Sequence, residues 1–293
     1  MTLFNQNYPS GSQAFYQLVS SQVQAALDED IGTGDLTAQL IPAAQHANAT
    51  IIAREAAVIC GLDWVDACFK QIDSHVEIDW RILEGERVEA NQVLCNIKGL
   101  ARSLLTGERC ALNFLQTLSA TATETRKYVD AIAGTQSQIL DTRKTIPNLR
   151  LAQKYAVTVG GAHNQRLALY DGILIKENHI AAAGSISAVM TNALALNTNK
   201  NIQIEVENLN QLQEALNAGA TSILLDNFSI TQLSEAVSIN KKLDGGAILE
   251  ASGSITLENV RDIALTGVDR ISIGAITKNV RAIDLSMRVS TES

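Results

Sequence analysis

Residues 204–227 read Ile204-Glu205-Val206-Glu207-Asn208-Leu209-Asn210-Gln211-Leu212-Gln213-Glu214-Ala215-Leu216-Asn217-Ala218-Gly219-Ala220-Thr221-Ser222-Ile223-Leu224-Leu225-Asp226-Asn227. A short run, Ile204 to Val206, leads into Glu207-Asn208, a stretch of helical spacing over 209–218 stops at Gly219, and a second apolar run ends in Asp226-Asn227. Parallel strands covered on both faces read as apolar runs, and asparagine before a periodic stretch with glycine after it marks a helix start and stop. The segment is a strand, a crossover helix and the next strand.

The same step recurs on either side. Ile139-Leu140 runs into Asp141-Thr142-Arg143-Lys144, and Ile173-Leu174-Ile175 into Lys176-Glu177-Asn178. Ile248-Leu249 runs into Glu250-Ala251-Ser252-Gly253, and Ile271-Ser272-Ile273 into Gly274. Helical patterns over 149–159, 186–196, 230–239 and 257–265 separate the runs, with Gly245 and Gly267 near the ends of the last two. Six strands are visible where a complete βα barrel has eight. The expectation is an α/β fold, an incomplete, about six-stranded βα barrel over 116–278 in which a strand is missing or disguised. Chemistry in such barrels sits at the C-terminal ends of the strands.

The first hundred residues have another texture. A helical stretch over 16–27 stops at Asp30-Ile31-Gly32-Thr33-Gly34-Asp35, and alternating runs over 49–54, 76–82 and 93–97 surround a helix over 64–72. This predicts an N-terminal α+β sandwich domain over 1–115, with 279–293 able to rejoin it. A long helix starting near Thr106-Gly107-Glu108 joins the two parts, and Arg109 then lies in its first turn, where the helix dipole disfavours a cation.

Composition limits the function classes. Hydrophobic residues make up 46% and charged residues 18%, which is ordinary for a globular chain. The formal net charge of -8 and the absence of any Lys/Arg-rich run argue against nucleic acid and anionic membrane as partners. Met1 to Ser12 lacks a basic start and an apolar stretch, and no run approaches a membrane span, so the expected location is cytoplasmic. Cys60, Cys68, Cys95 and Cys110 form neither a zinc pattern nor a disulfide framework and read as buried thiols.

At the predicted barrel mouth, Arg143, Lys144 and Lys176 gather, and Arg166 joins them from Gly160-Gly161-Ala162-His163-Asn164-Gln165-Arg166. Two unit charges about 6 Å apart repel by roughly 3 kcal/mol at an effective dielectric of 20. Four converging cations therefore imply a polyanionic ligand bearing carboxylates or phosphates. Glu205 and Asp226 stand opposite on neighbouring strands, two hard carboxylates suited to Mg²⁺ or to a positive transition state. Ser252, Gly253 and Gly274 follow the last two strands, where backbone N–H groups commonly cradle a phosphate.

These stretches, in order and together with Gly107-Glu108-Arg109-Cys110-Ala111-Leu112-Asn113, resemble the quinolinate phosphoribosyltransferase family from about Asp30 to Leu285. The resemblance implies transfer of ribosyl phosphate from phosphoribosyl pyrophosphate to quinolinate, giving nicotinate mononucleotide, pyrophosphate and CO₂ with Mg²⁺. It assigns catalytic roles to Lys144, Lys176, Glu205 and Asp226, with Glu205 and Asp226 on the metal. It assigns substrate contacts to Arg109, Arg143, Lys144, Gln165, Arg166, Lys176, Ser252, Gly253 and Gly274. It also implies a homodimer or higher homo-oligomer in which Arg109 crosses to the neighbouring site.

One position departs from the family pattern, which carries histidine where Gln165 stands. Glutamine donates a hydrogen bond but moves no proton near neutral pH; His163, two residues earlier, is the candidate substitute in substrate binding, and Gln165 is expected to orient a carboxylate. Two alternatives remain at this stage. One is a sister pyrophosphorylase-like barrel with another anionic acceptor; the other is a non-catalytic barrel that binds a sugar phosphate.

Overall fold

The computed structural model describes residues 8–243 and 246–291. The chain divides into two compact units: one holds residues up to Arg126, Pro147–Gly161 and the chain from Asn279 on, the other Lys127–Ile146 and Ala162–Lys278.

The first unit is α+β. Its elements are α1 (Gln13–Ile31), β1 (His46–Ala53), β2 (Ala57–Val58), α2 (Leu62–Ile72), β3 (Glu77–Trp80), β4 (Arg87–Val88), β5 (Val93–Leu100), α3 (Ala101–Ala131, of which 101–126 belong here) and α4 (Arg150–Val159). A last strand, Leu285–Thr291, pairs antiparallel with β1, giving a four-stranded sheet in which β1 and β5 are central and β3 is at the edge. β2 and β4 form a separate antiparallel pair. Burial alternates along β1, so Ala47, Ala49, Ile51 and Ala53 face the core. The same core takes Val19 and Val23 of α1, Val65 and Phe69 of α2, and Leu104, Leu115 and Leu118 of α3.

Two boundaries differ from the sequence expectation. α3 begins at Ala101, directly after β5, so Arg109 lies in its third turn and the helix-dipole argument does not apply to it. Residues 147–161 belong to the first unit and not to the barrel, because α4 supplies core side chains there. Tyr155, 1% exposed, stands 5.2 Å from the Phe15 ring and 5.4 Å from Trp64 between ring centroids. All four cysteines are free and buried. Burial raises each thiol pKa, that of Cys110 to about 11.

The second unit is a parallel sheet with crossover helices. β6 (Gln138–Leu140), β7 (Ile173–Ile175), β8 (Ile202–Val206), β9 (Ser222–Asp226), β10 (Ile248–Ser252) and β11 (Arg270–Ser272) lie in the order β6-β11-β10-β9-β8-β7. This is the incomplete six-stranded βα barrel. α5 (Glu177–Ala183), α6 (Ile186–Ala195), α7 (Leu209–Asn217), α8 (Ile230–Asn240), α9 (Val260–Leu265) and α10 (Ala275–Lys278) connect or follow the strands. Gly219 and Gly267 end α7 and α9 with φ of +79° and +89°; Gly245, expected after α8, lies outside the described residues.

The free edge of β6 carries one isolated bridge and, among the described residues, no further strand. His163 forms a parallel bridge with Leu140, its N–H donating to Ile139 O at 2.9 Å and its C=O accepting from Asp141 N at 3.2 Å. Among the described residues no helix is long and apolar enough to cross a membrane.

Candidate active site

Strand geometry builds the site. Successive side chains on a strand point to opposite faces, so Ile204 and Val206 of β8, Ile223 and Leu225 of β9, and Leu249 and Ala251 of β10 are buried on one face. The alternate residues face inward: Leu174 and Lys176, Glu205, Leu224 and Asp226, Glu250 and Ser252, and Ser272 all line one cavity of about 630 Å³. Thr142, Arg143, Lys144, Gln165, Arg166, Asn227, Gly253 and Ser254 complete its wall. The cavity lies at the C-terminal ends of the strands, as the barrel rule requires.

Lys176 Nζ bonds Glu205 Oε2 at 3.0 Å and Oε1 at 3.4 Å across β7 and β8. The lysine is half-exposed and the carboxylate nearly buried, at 46% and 12% side-chain exposure. His179 Nδ1 accepts the Lys176 N–H at 3.0 Å, which fixes the turn from β7 into α5 just where the lysine leaves the strand. Asp226 is oriented by its neighbour: Asn227 Nδ2 donates to Asp226 Oδ2 at 2.9 Å. Asn227 has φ of +56° and its N–H donates to Ser252 O at 2.9 Å, closing β9 onto β10 beyond the strand ladder.

Small residues at the rim are steric necessities. Gly253 has φ of +101°, and a side chain there would overlap Asn227 Oδ1. A Cβ on Gly274 would lie 2.9 Å from Lys144 Cδ, so the lysine stem crosses bare backbone at that point. Thr277, fully buried on α10, donates its hydroxyl to Lys144 O at 2.8 Å, and Lys144 N–H bonds Thr142 Oγ1 at 3.0 Å.

The loop carrying Arg166 is held from below. Asp141, fully buried, accepts Gln165 N–H at 2.8 Å and Asn164 Nδ2 at 2.7 Å. Arg166 Nη1 donates to Gly172 O at 2.8 Å. Burial, then the charge of Arg143, lower the Arg166 pKa. Two guanidiniums near one another in a partly desolvated wall favour an anion between them.

The structure therefore brings Arg143, Lys144, Gln165, Arg166, Lys176, Glu205, Asp226, Ser252 and Gly253 to one cavity and sets Gly274 against Lys144. It does not bring His163: that residue is exposed, its backbone is spent on the bridge to β6, and it is not part of the cavity wall. Gln165 also differs from the expectation, because its amide nitrogen points inward to Gln203 Oε1 at 2.7 Å. Arg109 is exposed on α3 in the first unit.

Sequence reasoning places Glu250 at the barrel mouth without a role and misses Gln203. The apolar run before Glu250 suggests that β10 ends at Leu249, whereas it continues through Ser252, so Glu250 is an inward, fully buried strand residue. Counting two residues back from Glu205 and from Ser252 finds both.

Glu205 and Asp226 suit a metal bound mainly by substrate. Mg²⁺ commonly takes one or two protein carboxylates plus phosphate oxygens and water. Among the described residues no group of three or more His, Cys, Asp or Glu side chains could hold a metal without such help.

Comparison with known proteins gives one consistent result. Residues 35–119 match the N-terminal domain model of quinolinate phosphoribosyl transferase, and residues 121–288 match its C-terminal domain model. A probable nicotinate-nucleotide pyrophosphorylase (carboxylating) of Bacillus subtilis is 41% identical over 266 residues, covering 89% of this chain and 90% of the relative. The nicotinate-nucleotide pyrophosphorylase (carboxylating) of Mycobacterium leprae is 38% identical, covering 94% and 99%. Among solved structures, the nicotinate-nucleotide pyrophosphorylase of Francisella tularensis superposes with a TM-score of 0.90 at 46% identity, covering 94% of this chain and 97% of that one.

Proposed function

Since the chain belongs to the quinolinate phosphoribosyl transferase family, we propose that it transfers ribosyl phosphate from phosphoribosyl pyrophosphate to quinolinate and releases CO₂, making nicotinate mononucleotide for NAD biosynthesis. The observation that carries this reading is the single cavity with Arg143, Lys144, Arg166 and Lys176 on its wall beside Glu205 and Asp226. A dicarboxylate acceptor and a phosphorylated donor bring negative charge for all four cations; a mono-acid acceptor brings less.

The chemistry follows from this arrangement. Arg143 and Arg166 hold acceptor carboxylate, and Lys144 and Lys176 meet phosphate and departing pyrophosphate. Ser252, Gly253 and Gly274 leave room for the ribosyl phosphate at the rim. The ring nitrogen attacks the ribose carbon as pyrophosphate leaves. Positive charge grows on the ribose and is stabilised by Glu205 and Asp226. Before substrate binds, Lys176 neutralises Glu205; binding of phosphate gives the lysine a second anion and leaves the carboxylate to face the ribose. Glu205 and Asp226 would also hold Mg²⁺, which supplies charge neutralisation on the pyrophosphate. Once alkylated, the ring nitrogen is cationic and stabilises the carbanion left on the neighbouring ring carbon when its carboxylate departs as CO₂; that carbon then takes a proton from water, giving the product C–H.

The working assembly is a homodimer or larger, with Arg109 of one subunit completing the acceptor pocket of its neighbour, and its place of action is the cytoplasm. Initial rates with quinolinate and with nicotinate as alternative acceptors test the acceptor assignment. Quinolinate is expected to exceed nicotinate by at least about a hundredfold in kcat/KM; turnover of nicotinate alone would assign the barrel to a different acceptor.

A further inference from the structure

The chemistry above leaves one buried carboxyl group without a task, that of Glu250. It is fully buried on β10, and its hydrogen-bond partners among the described residues are side-chain amides. Gln203 Nε2 donates to Glu250 Oε2 at 2.9 Å. Gln165 Nε2 donates to Gln203 Oε1 at 2.7 Å and reaches the two Glu250 oxygens at 3.3 and 3.4 Å. Gln165 Oε1 in turn accepts the backbone N–H of Arg166 at 2.6 Å. The ladder runs in one direction, from Arg166 N–H through two amides to Glu250, so its last member has only to accept. The two carboxyl oxygens of Glu250 do that, whereas a side-chain amide in the same place would bring its own donors.

Gln165 and Arg166 line both the main cavity and a smaller one of about 170 Å³ that also touches Gln203. The ladder is thus a polar partition beneath the site, with open space on either side. Asp141 holds the turn by Gln165 N–H and Asn164 Nδ2. The Arg166 guanidinium, by contrast, bonds a neutral carbonyl, Gly172 O, and meets no carboxylate among the described residues. Its charge is left for a ligand, and its aim depends on the turn beneath it.

We propose that Glu250 is a positioning residue for acceptor recognition: acting through Gln203 and Gln165, it fixes the 164–166 turn and so aims Arg166 at a carboxylate of the acceptor. This rests on quinolinate being that acceptor. It also gives Gln165 a role that differs from direct substrate contact, because both ends of its amide are engaged within the protein.

The test is steady-state kinetics on the full chain with Mg²⁺, varying each substrate in turn, for wild type, Glu250→Gln, Gln203→Leu and the exchanged pair Gln203→Glu with Glu250→Gln. Each single variant is expected to raise the quinolinate KM about tenfold while the phosphoribosyl pyrophosphate KM stays within about twofold. The exchanged pair remakes the ladder, since a carboxylate at position 203 can accept both from the Gln165 amide and from an amide at position 250. It is expected to restore the quinolinate KM to within about threefold of wild type. A merely structural role predicts loss of both KM values and of thermal stability without rescue by the exchange, and that result overturns the proposal. Unchanged quinolinate KM in Gln203→Leu, or in Gln165→Leu should the former not fold, overturns it equally. Absence of quinolinate turnover by wild type instead refutes the reaction assignment itself.

Discussion

Lys176 and Glu205 show how single residues set the chemistry: a cation and a carboxylate 3.0 Å apart at the ends of adjacent strands, each available to a different part of the substrate pair. Lys176→Ala should lower kcat/KM by at least about a hundredfold while leaving the melting temperature nearly unchanged, since a half-exposed ion pair adds little to stability. Gly253 is expected to be sensitive for a steric reason. Gly253→Ala combines a positive φ with overlap on Asn227, costs roughly 1–3 kcal/mol of stability, and should raise the KM for phosphoribosyl pyrophosphate; thermal melts and initial rates read the two effects separately. At position 165, Gln165→His should not raise turnover a hundredfold, because the side chain there faces Gln203 and Glu250 and moves no proton. Arg143, Lys144, Lys176 and Asp226 are legible in the sequence because they stand at or just beyond the ends of apolar runs. The inward places of Gln203 and Glu250 are not, because a polar residue inside a short strand reads as the end of that strand until its inward period of two is counted.

Strand and helix boundaries show where local pattern suffices and where packing decides. The crossover helices from α6 to α8 carry caps that can be read directly, Ser185, Asn208 and Ser229, whose side chains accept N–H groups in the first turn. The start of α3 cannot be read this way: β5 passes straight into the helix at Ala101, with no intervening loop. α5 is likewise hidden, since Lys176-Glu177-Asn178-His179 looks like a polar loop and becomes a helix start through the His179 acceptor. Asp35 ties the loop after α1 to α3: its carboxylate accepts Ala38 N–H at 3.0 Å and the Thr106 hydroxyl at 2.8 Å. Those bonds, the first above all, hold its pKa below the ordinary carboxylate value. A depressed folded-state pKa contributes stability that is present above the unfolded pKa and lost as pH falls through the folded one. Urea unfolding of Asp35→Asn should accordingly show a shallower decline in stability than wild type below about pH 4.

At the scale of the whole molecule, the chain interleaves its two units, and that is what sequence order conceals. α4 sits between β6 and β7 in the sequence, where a barrel helix is expected, yet Ala152, Tyr155 and Ala156 pack in the first unit's core. Its apolar spacing suits either destination. The rhythm of apolar runs nevertheless shows the six-stranded barrel, and beyond those strands the edge of β6 carries a single isolated bridge at His163. A dimer with shared sites makes a quantitative prediction. If Arg109 serves the neighbouring subunit, Arg109→Ala and Lys144→Ala are each nearly inactive alone, and random reassembly of an equal mixture restores about one quarter of wild-type activity, from the one intact site in each mixed dimer. Recovery of none after verified subunit exchange would mean that Arg109 acts within its own subunit. The most direct test of the central claim uses quinolinate labelled in the carboxylate next to the ring nitrogen, with phosphoribosyl pyrophosphate and Mg²⁺. Labelled CO₂ and unlabelled nicotinate mononucleotide are expected in equal amounts; product that keeps the label, or no product from quinolinate while another acceptor is consumed, would overturn the assignment.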